Sequence, residues 1–397
     1  MRPFEGIRVL DLTHVFAGPF CTYQLAVLGA EVIKIEPVDR PDMTRAEGAD
    51  PALNAAGMGL VFQAQGGGKR TLALDLKSGA GREVFDRLVQ TADVVVQNYT
   101  AHAVVALGLE YGRLSVLKPD LIYCAISGYG ATGDKAAHPA YDVVIQAFTG
   151  VMAANGEADS PPVRIGPAVI DYGTGAQAAL AISAALFARA QTGQGRRIDV
   201  AMSDCALMLM NSSTFGTLSS GAAPRPFGNR DPNLAGYAAY ETAKGTLMIG
   251  AYTNAQMAGL MQAVGAPEAA AEIEATPRDK IAARRDSDAS LLAKVLRTRT
   301  AAEWEELLNA HHVPTARVRD LKQALDEPQF ATRGVVQVRD GQPFTVAGFL
   351  YDHGGPELSS PPRAHGQDSR AVLGELGIGE AEFDSLAAQG VVFSPCR

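Results

Sequence analysis

Residues 6–36 read GIRVLDLTHVFAGPFCTYQLAVLGAEVIKIE, and their order decides the fold class. Arg8 to Asp11 is a short run with Val9 and Leu10 at its centre, Phe20 to Leu28 carries apolar residues at helical spacing, and Glu31 to Glu36 is a second short run with Val32, Ile33 and Ile35. Strand, helix and strand within about thirty residues make the βαβ unit of a parallel sheet. The alternation continues along the first two hundred residues or so. Thr71 to Leu76, Asp93 to Asn98, Leu121 to Ser127 and Arg196 to Val200 read as further strands, and Gly79 to Gln90, Tyr141 to Ala153 and Tyr172 to Ala190 as helices. The pattern predicts an α/β protein with a Rossmann-like sheet covered by helices on both faces. Periodicity does not give the strand order.

Outward from this region the character changes near Gly221. A turn-rich stretch, Gly228-Asn229-Arg230-Asp231-Pro232-Asn233, precedes a hairpin expected over Ala238 to Thr242 and Thr246 to Ala251, turned at Ala243-Lys244-Gly245. Helices follow at Asn254 to Val264 and Ala301 to Ala310, the latter with Thr300 and Glu303 in capping-box spacing. Pro- and Gly-rich chain from Gly354 to Gly366 then leads into a helical Asp368 to Leu376. Three segments are expected: residues 1–215 as the first part of a large domain, 225–330 as a smaller α+β domain, and 335–397 as a return to the large one.

Composition excludes several classes of function. With 47% apolar and 20% charged residues the chain is globular rather than disordered, and its net charge of −8 with dispersed Lys and Arg opposes binding to nucleic acid or an anionic membrane. Cys21, Cys124, Cys205 and Cys396 show neither CxxC nor mixed Cys/His spacing, so no disulfide framework or metal site is expected. Polar Asp11 to His14 breaks any secretory apolar core, and no apolar run reaches the roughly eighteen residues of a membrane span. These features predict a cytoplasmic protein.

Four motifs could carry chemistry. Gly128-Tyr129-Gly130-Ala131-Thr132-Gly133 satisfies GxGxxG after a strand, but Pro139 keeps a helix from opening directly behind it, so a nicotinamide or flavin site is not expected. Gly66-Gly67-Gly68-Lys69-Arg70 lacks the Ser/Thr of a nucleotide-hydrolysing loop; it reads either as a solvated turn or as a glycine run offering two cations to a phosphate-bearing ligand. Asp171 stands between an extended segment and a long helix, the place of an N-cap, where a carboxylate also feels the positive helix end. His14 follows the first strand, where open α/β sheets meet ligands, and by itself reads as a turn residue.

Taken together, these segments resemble family III CoA transferases, the formyl-CoA transferase and carnitine CoA-transferase group, over nearly the whole chain. The resemblance rests on Gly6 to Asp11 with Ala17-Gly18-Pro19, Leu28 to Glu36, Lys69-Arg70 before a strand, and Asn98-Tyr99. It continues through Gly128-Tyr129-Gly130, Tyr141-Asp142, Asp171 ahead of a long helix, and Thr192-Gly193-Gln194-Gly195 before a strand. It implies a large Rossmann-like domain built from both chain ends, a smaller central domain, and an obligate homodimer of interlocked rings. It further implies that Asp171 is the nucleophile, that Val15, Ala17, Gly68, Lys69, Asn98 and Tyr99 hold CoA, and that His14, Phe16 and Tyr141 line the acyl site.

The implied reaction moves CoA from an acyl-CoA to a free carboxylic acid through an acyl-aspartyl anhydride and an aspartyl-CoA thioester, with no metal. Its oxyanions are expected to meet backbone amides around Ala17 and at the helix start after Asp171. Phe16 and Pro37 stand where formyl-CoA transferases of this group carry Gln and a basic residue, which turns the expectation from formate and oxalate toward longer dicarboxylic acids with succinyl-CoA as donor. Arg164 or Arg230 would then bind the second carboxylate. Two alternatives are an α-methylacyl-CoA racemase and a non-catalytic CoA-binding protein. Racemases of this superfamily place His where Tyr141 stands, and an acid where Thr253-Asn254-Ala255-Gln256 has none.

Overall fold

The computed structural model describes residues 1–395, and Cys396 lies outside the described residues. Six parallel strands, β1 (Arg8–Leu12), β2 (Glu31–Glu36), β3 (Lys69–Leu74), β4 (Val94–Gln97), β5 (Ile122–Ser127) and β6 (Arg196–Ala201), lie in the order β3-β2-β1-β4-β5-β6. A short C-terminal strand, Val392–Phe393, adds antiparallel to β3 at the edge. Because β1 is flanked by β2 on one side and β4 on the other, the winding reverses there, and the carboxyl ends of β1 and β4 border the crevice where doubly wound sheets bind ligands.

The strands alternate their side chains between two cores, as strands buried on both faces must. Leu10, Leu12, Ile33 and Leu72 pack with Phe85 and Leu88 of a helix over Gly79–Thr91 and with Val372, Leu373 and Phe383 from the C-terminal region. Val9, Val32, Val94 and Val96 face the other way, onto Cys21 and Leu25 of α1 (Ala17–Val27) and Ala178 and Ile182 of a 24-residue helix over Val169–Thr192.

The chain gathers into two compact units, one of residues 1–151, 164–223 and 329–397, the other of 152–163 and 224–328. The second is an antiparallel sheet of Tyr237–Glu241, Thr246–Gly250 and Thr315–Arg317 around a core that includes Leu247, Ile249, Leu260 and Trp304. Its helix Ala301–Ala310 carries the expected capping box of Thr300 and Glu303. Residues 152–163 fall in this unit, although the reading above ran the large domain through residue 215; Gly228 donates to the Gly156 carbonyl at 2.8 Å and Arg230 pairs with Glu157 at 3.2 Å.

Several boundaries differ from expectation for local reasons. The helix α1 begins at Ala17, three residues early, because Pro19 falls in its first turn, where no amide is needed. The helix expected from Tyr141 stops at Thr149, where Gly150 turns left-handed with φ 88°, leaving α2 (Asp142–Thr149). The long helix, α3 (Val169–Thr192), starts ahead of Asp171 rather than after it. Beyond it comes α4 (Met202–Leu209).

Candidate active site

The loop leaving β1 is built on buried charge. The Asp11 carboxylate accepts from the Thr13 amide (2.9 Å) and from the Thr13 and Thr22 hydroxyls, and pairs with Lys69 Nζ at 3.0 Å. Burial would raise this carboxyl, but Lys69, Lys34 and the two hydroxyls outweigh it and hold its pKa at about 2. Lys34 Nζ donates to the Thr13 carbonyl at 2.7 Å and pairs with Asp42 at 3.1 Å.

Two sequence expectations are corrected here. Lys69 is only 1% exposed, and its ammonium is committed to Asp11, the Pro19 carbonyl (2.8 Å) and the Thr22 hydroxyl (2.8 Å), so it offers no cation to a phosphate. Gly68 is not at the crevice either. The register Val32 with Lys69 and Val9 with Val32 puts Gly68 at the amino-terminal edge of the sheet, opposite His14 and Asn98. Its amide donates to the Ser360 carbonyl at 2.8 Å. Arg70, the second cation of that run, pairs with Glu31 and Glu375, both at 2.6 Å.

Above the buried charges, the backbone of residues 14–17 is held from several sides. The Asn98 side chain accepts from the His14 amide at 3.0 Å and donates to the His14 carbonyl at 2.8 Å, tying the end of β1 to the end of β4. Val15 has φ 71°, a left-handed conformation that a β-branched residue adopts only under restraint. Gln65 Nε2 donates to its carbonyl at 2.5 Å. The His14 and Tyr99 rings lie 5.4 Å apart, and burial lowers the His14 pKa, leaving a neutral imidazole at neutral pH. Phe16 is the α1 N-cap, and no side chain caps the helix there.

Asp171 sits in the first turn of α3, with Ala168 as the N-cap, so it is not the cap that its position in the sequence suggested. The cap is Asp142. Its Oδ2 accepts from the Ile170 amide at 2.7 Å and the Asp171 amide at 3.1 Å. Tyr172 donates to the Ala168 carbonyl and Val169 to that of Pro167, at 3.1 and 2.8 Å, so the amides of residues 169–172 are all taken, against the expectation that they would meet an oxyanion. Asp171 is 8% exposed, and burial, reinforced by the charge of Asp142, pushes its carboxyl up to about 7.

The amino ends of α1 and α3 meet closely. A Cβ on Gly175, one turn after Asp171, would stand 2.6 Å from the Ala17 carbonyl oxygen. Tyr172 packs edge-on against Phe20 (4.9 Å) and Phe16 (6.0 Å), which brings Phe16 beside the Asp171 turn. Tyr141, 60% exposed, precedes the capping Asp142. The structure thus gathers His14, Val15, Phe16, Ala17, Asn98 and Tyr99 at the crevice, with Asp171 on the helix packed against α1.

Sequence reading missed a shallow cleft at the carboxyl ends of β2 and β3, whose lining includes Ile35, Glu36, Asp75, Lys77, Tyr99 and Leu107. Lys77 is exposed there, with Asp39 4.0 Å away. The signal was a lone Lys after Asp75, indistinguishable from a surface residue. Among the described residues no group of three or more His, Cys, Asp or Glu could hold a metal ion, and no helix is long and apolar enough to cross a membrane.

Residues 4–369 match CoA-transferase family III. The chain belongs to that family. An acetyl-CoA:oxalate CoA-transferase of Acetobacter aceti is 34% identical over 365 residues, covering 90% of this chain and 93% of the relative. A succinyl-CoA:mesaconate CoA-transferase of Haloarcula marismortui is 36% identical over 365 residues, covering 88% and 89%. The crystal structure of a CaiB/BaiF family protein from Brucella suis superposes with a TM-score of 0.84 at 32% identity, covering 94% of this chain and 99% of that one. This family III member is itself a CoA-transferase, and the racemase and non-catalytic alternatives are set aside.

Proposed function

We propose that the enzyme transfers CoA from an acyl-CoA, with succinyl-CoA as the favoured donor, to a dicarboxylic acid, and that Asp171 carries the acyl group and then the CoA. The observation behind this reading is the state of Asp171: a buried carboxylate with a pKa near 7, half ionised at neutral pH and more nucleophilic than an ordinary aspartate. Its oxygen attacks the thioester carbonyl and expels the CoA thiolate, giving a mixed anhydride. The thiolate then attacks the aspartyl carbonyl, releasing the first acid and leaving an aspartyl-CoA thioester. The incoming carboxylate attacks that thioester to form a second anhydride, again freeing the thiolate. Attack of the thiolate on the new acyl carbonyl forms the product and restores Asp171.

Each tetrahedral oxyanion needs donors, and the uncapped amides of Ala17 and Gly18 at the α1 start are assigned that role. The carboxyl-end cleft, with Tyr99 in its wall and Lys77 at its rim, is assigned to the nucleotide end of CoA, and Val15 and Asn98 to the path between. Phe16 and Tyr141 are assigned to the acyl site with His14. Dicarboxylates are favoured because oxalate and mesaconate, in the names of the two relatives, both are. Arg164 is exposed and has no ion-pair partner among the described residues, whereas Arg230 is engaged with Glu157, so Arg164 is assigned the distal carboxylate.

The homodimer belongs to the same reading: Leu180, Phe187, Phe215 and Leu218 are large apolar side chains, each more than 60% exposed, that a partner subunit would cover. A cytoplasmic location fits three buried free thiols. The test is succinyl-CoA followed by hydroxylamine and peptide mass spectrometry, with succinyl-CoA and acetyl-CoA run against a panel of carboxylates. A hydroxamate on Asp171 and CoA transfer to dicarboxylates are expected. Transfer without any Asp171 adduct would overturn the nucleophile.

A further inference from the structure

The nucleophile's helix is fastened to α2 by a two-residue bracket. Asp142 and Gln146 are one turn apart on α2 and share a face, and both are buried, Gln146 completely. Gln146 Nε2 donates to Asp142 Oδ1 at 2.5 Å, while its Oε1 accepts from the Ile165 amide at 2.8 Å and Nε2 reaches the Ile165 carbonyl at 3.3 Å. The other Asp142 oxygen takes the amides of Ile170 and Asp171. One amide and one carboxylate therefore fix both ends of the 165–171 segment that delivers Asp171. Capping alone does not require the pair, since a lone Asp142 would suffice for the α3 amides.

We propose that Gln146 and Asp142 act together as a positioning pair for the transferase reaction, Asp142 by holding the Asp171 backbone and presenting a negative charge to its carboxyl, Gln146 by keeping Asp142 oriented. The inference rests on Asp171 being the nucleophile. Gln146 meets Asp142 through its amide nitrogen while its oxygen accepts from the Ile165 amide, so the orientation of Asp142 is tied to the 165–171 segment on both sides. Titratable groups also lie on the other elements packed against α3: Cys21 and Tyr23 on α1, Tyr123 and Cys124 on β5, Arg196, Arg197 and Asp199 on β6, Asp204 and Cys205 on α4, with Tyr172 on α3 itself. Among the charges, that of Asp142 is the one that raises Asp171.

Two substitutions of opposite sign test the pair on the full-length enzyme, with kcat/KM for succinyl-CoA followed from pH 5 to 9. Asp142→Asn keeps one acceptor for the helix amides but removes the charge, and the acid limb is expected to move down by roughly one pH unit. Gln146→Glu is nearly isosteric and adds a charge beside Asp142, and the limb is expected to move up. A residue that only held the fold would lower both limbs in proportion to the folded fraction and leave their midpoints in place. Opposite displacements support the pair. Midpoints unmoved in both variants overturn it, and if the wild-type enzyme still forms the Asp171 hydroxamate in that case, the bracket falls while the nucleophile stands.

Discussion

Replacing Asp171 by Asn abolishes the proposed nucleophile, and the structure requires that it also stabilise the protein in a pH-dependent way. In the unfolded chain an aspartate titrates at 3.8, and in the fold this one titrates at about 7. The folded state therefore holds a proton that the unfolded state has lost at every pH between these values, so stability contributed by this group is complete below about pH 4 and falls as pH rises through 7. At 1.36 kcal/mol per pH unit the ionised carboxylate costs the wild type on the order of 4 kcal/mol above pH 8, and roughly 2–3 kcal/mol of that develops between pH 5 and pH 8. Asn carries no such burden. Urea unfolding of both proteins at one fixed concentration should show the variant gaining roughly 2–3 kcal/mol on the wild type across this interval, whatever their difference at pH 5. A gap that stays constant from pH 5 to pH 8 would refute the claim that Asp171 is a buried, strained carboxylate.

Three other substitutions probe the site's foundations. Lys69→Met strands Asp11 without its partner and should cost roughly 3–5 kcal/mol in denaturant unfolding, far more than loss of an exposed ligand-binding lysine; a stability change within experimental error would restore Lys69 as a candidate for CoA. Gly175→Val would force α1 away from α3, because even the first carbon meets the Ala17 carbonyl at 2.6 Å; a loss of about 1–3 kcal/mol with a fall in kcat is expected, read by thermal unfolding and turnover. Lys77→Ala should raise KM for acyl-CoA about tenfold with kcat and stability unchanged, and an unchanged KM would remove the cleft at the ends of β2 and β3 from the CoA path.

What was legible in the sequence was what is local. The β1–α1–β2 alternation gave the α/β class because side-chain period depends only on neighbours along the chain, and the Thr300–Glu303 capping box is local too. The misread site residues all involve partners distant in sequence. Lys69 looked like a phosphate cation because it follows glycines, but its fate is set by Asp11, 58 residues earlier, which the parallel register brings within reach. Asp171 looked like its own helix's cap because the capping carboxylate lies 29 residues before it, on another helix. The lowering of the Asp171 pKa that a positive helix end would bring is reversed for the same reason: Asp142 takes the amides that would have lowered it, and adds its own charge.

That substitution of one carboxylate for another at the helix end has a chemical consequence for the proposed reaction. In the first anhydride the returning thiolate can attack either carbonyl. Attack at the substrate carbonyl expels Asp171 and merely reverses the first step, while attack at the aspartyl carbonyl expels the substrate acid and goes forward. The more basic carboxylate is the poorer leaving group, so an Asp171 near pKa 7 opposes reversal in favour of expelling the substrate acid, which ionises more readily in water. Had Asp171 itself received the α3 amides, they would have stabilised it as a leaving group and favoured return to the starting thioester. Giving those amides to Asp142 thus sharpens the attack and the partition of the first anhydride, at the expense of a slower departure of Asp171 from the second and of the stability that the Asn variant should recover.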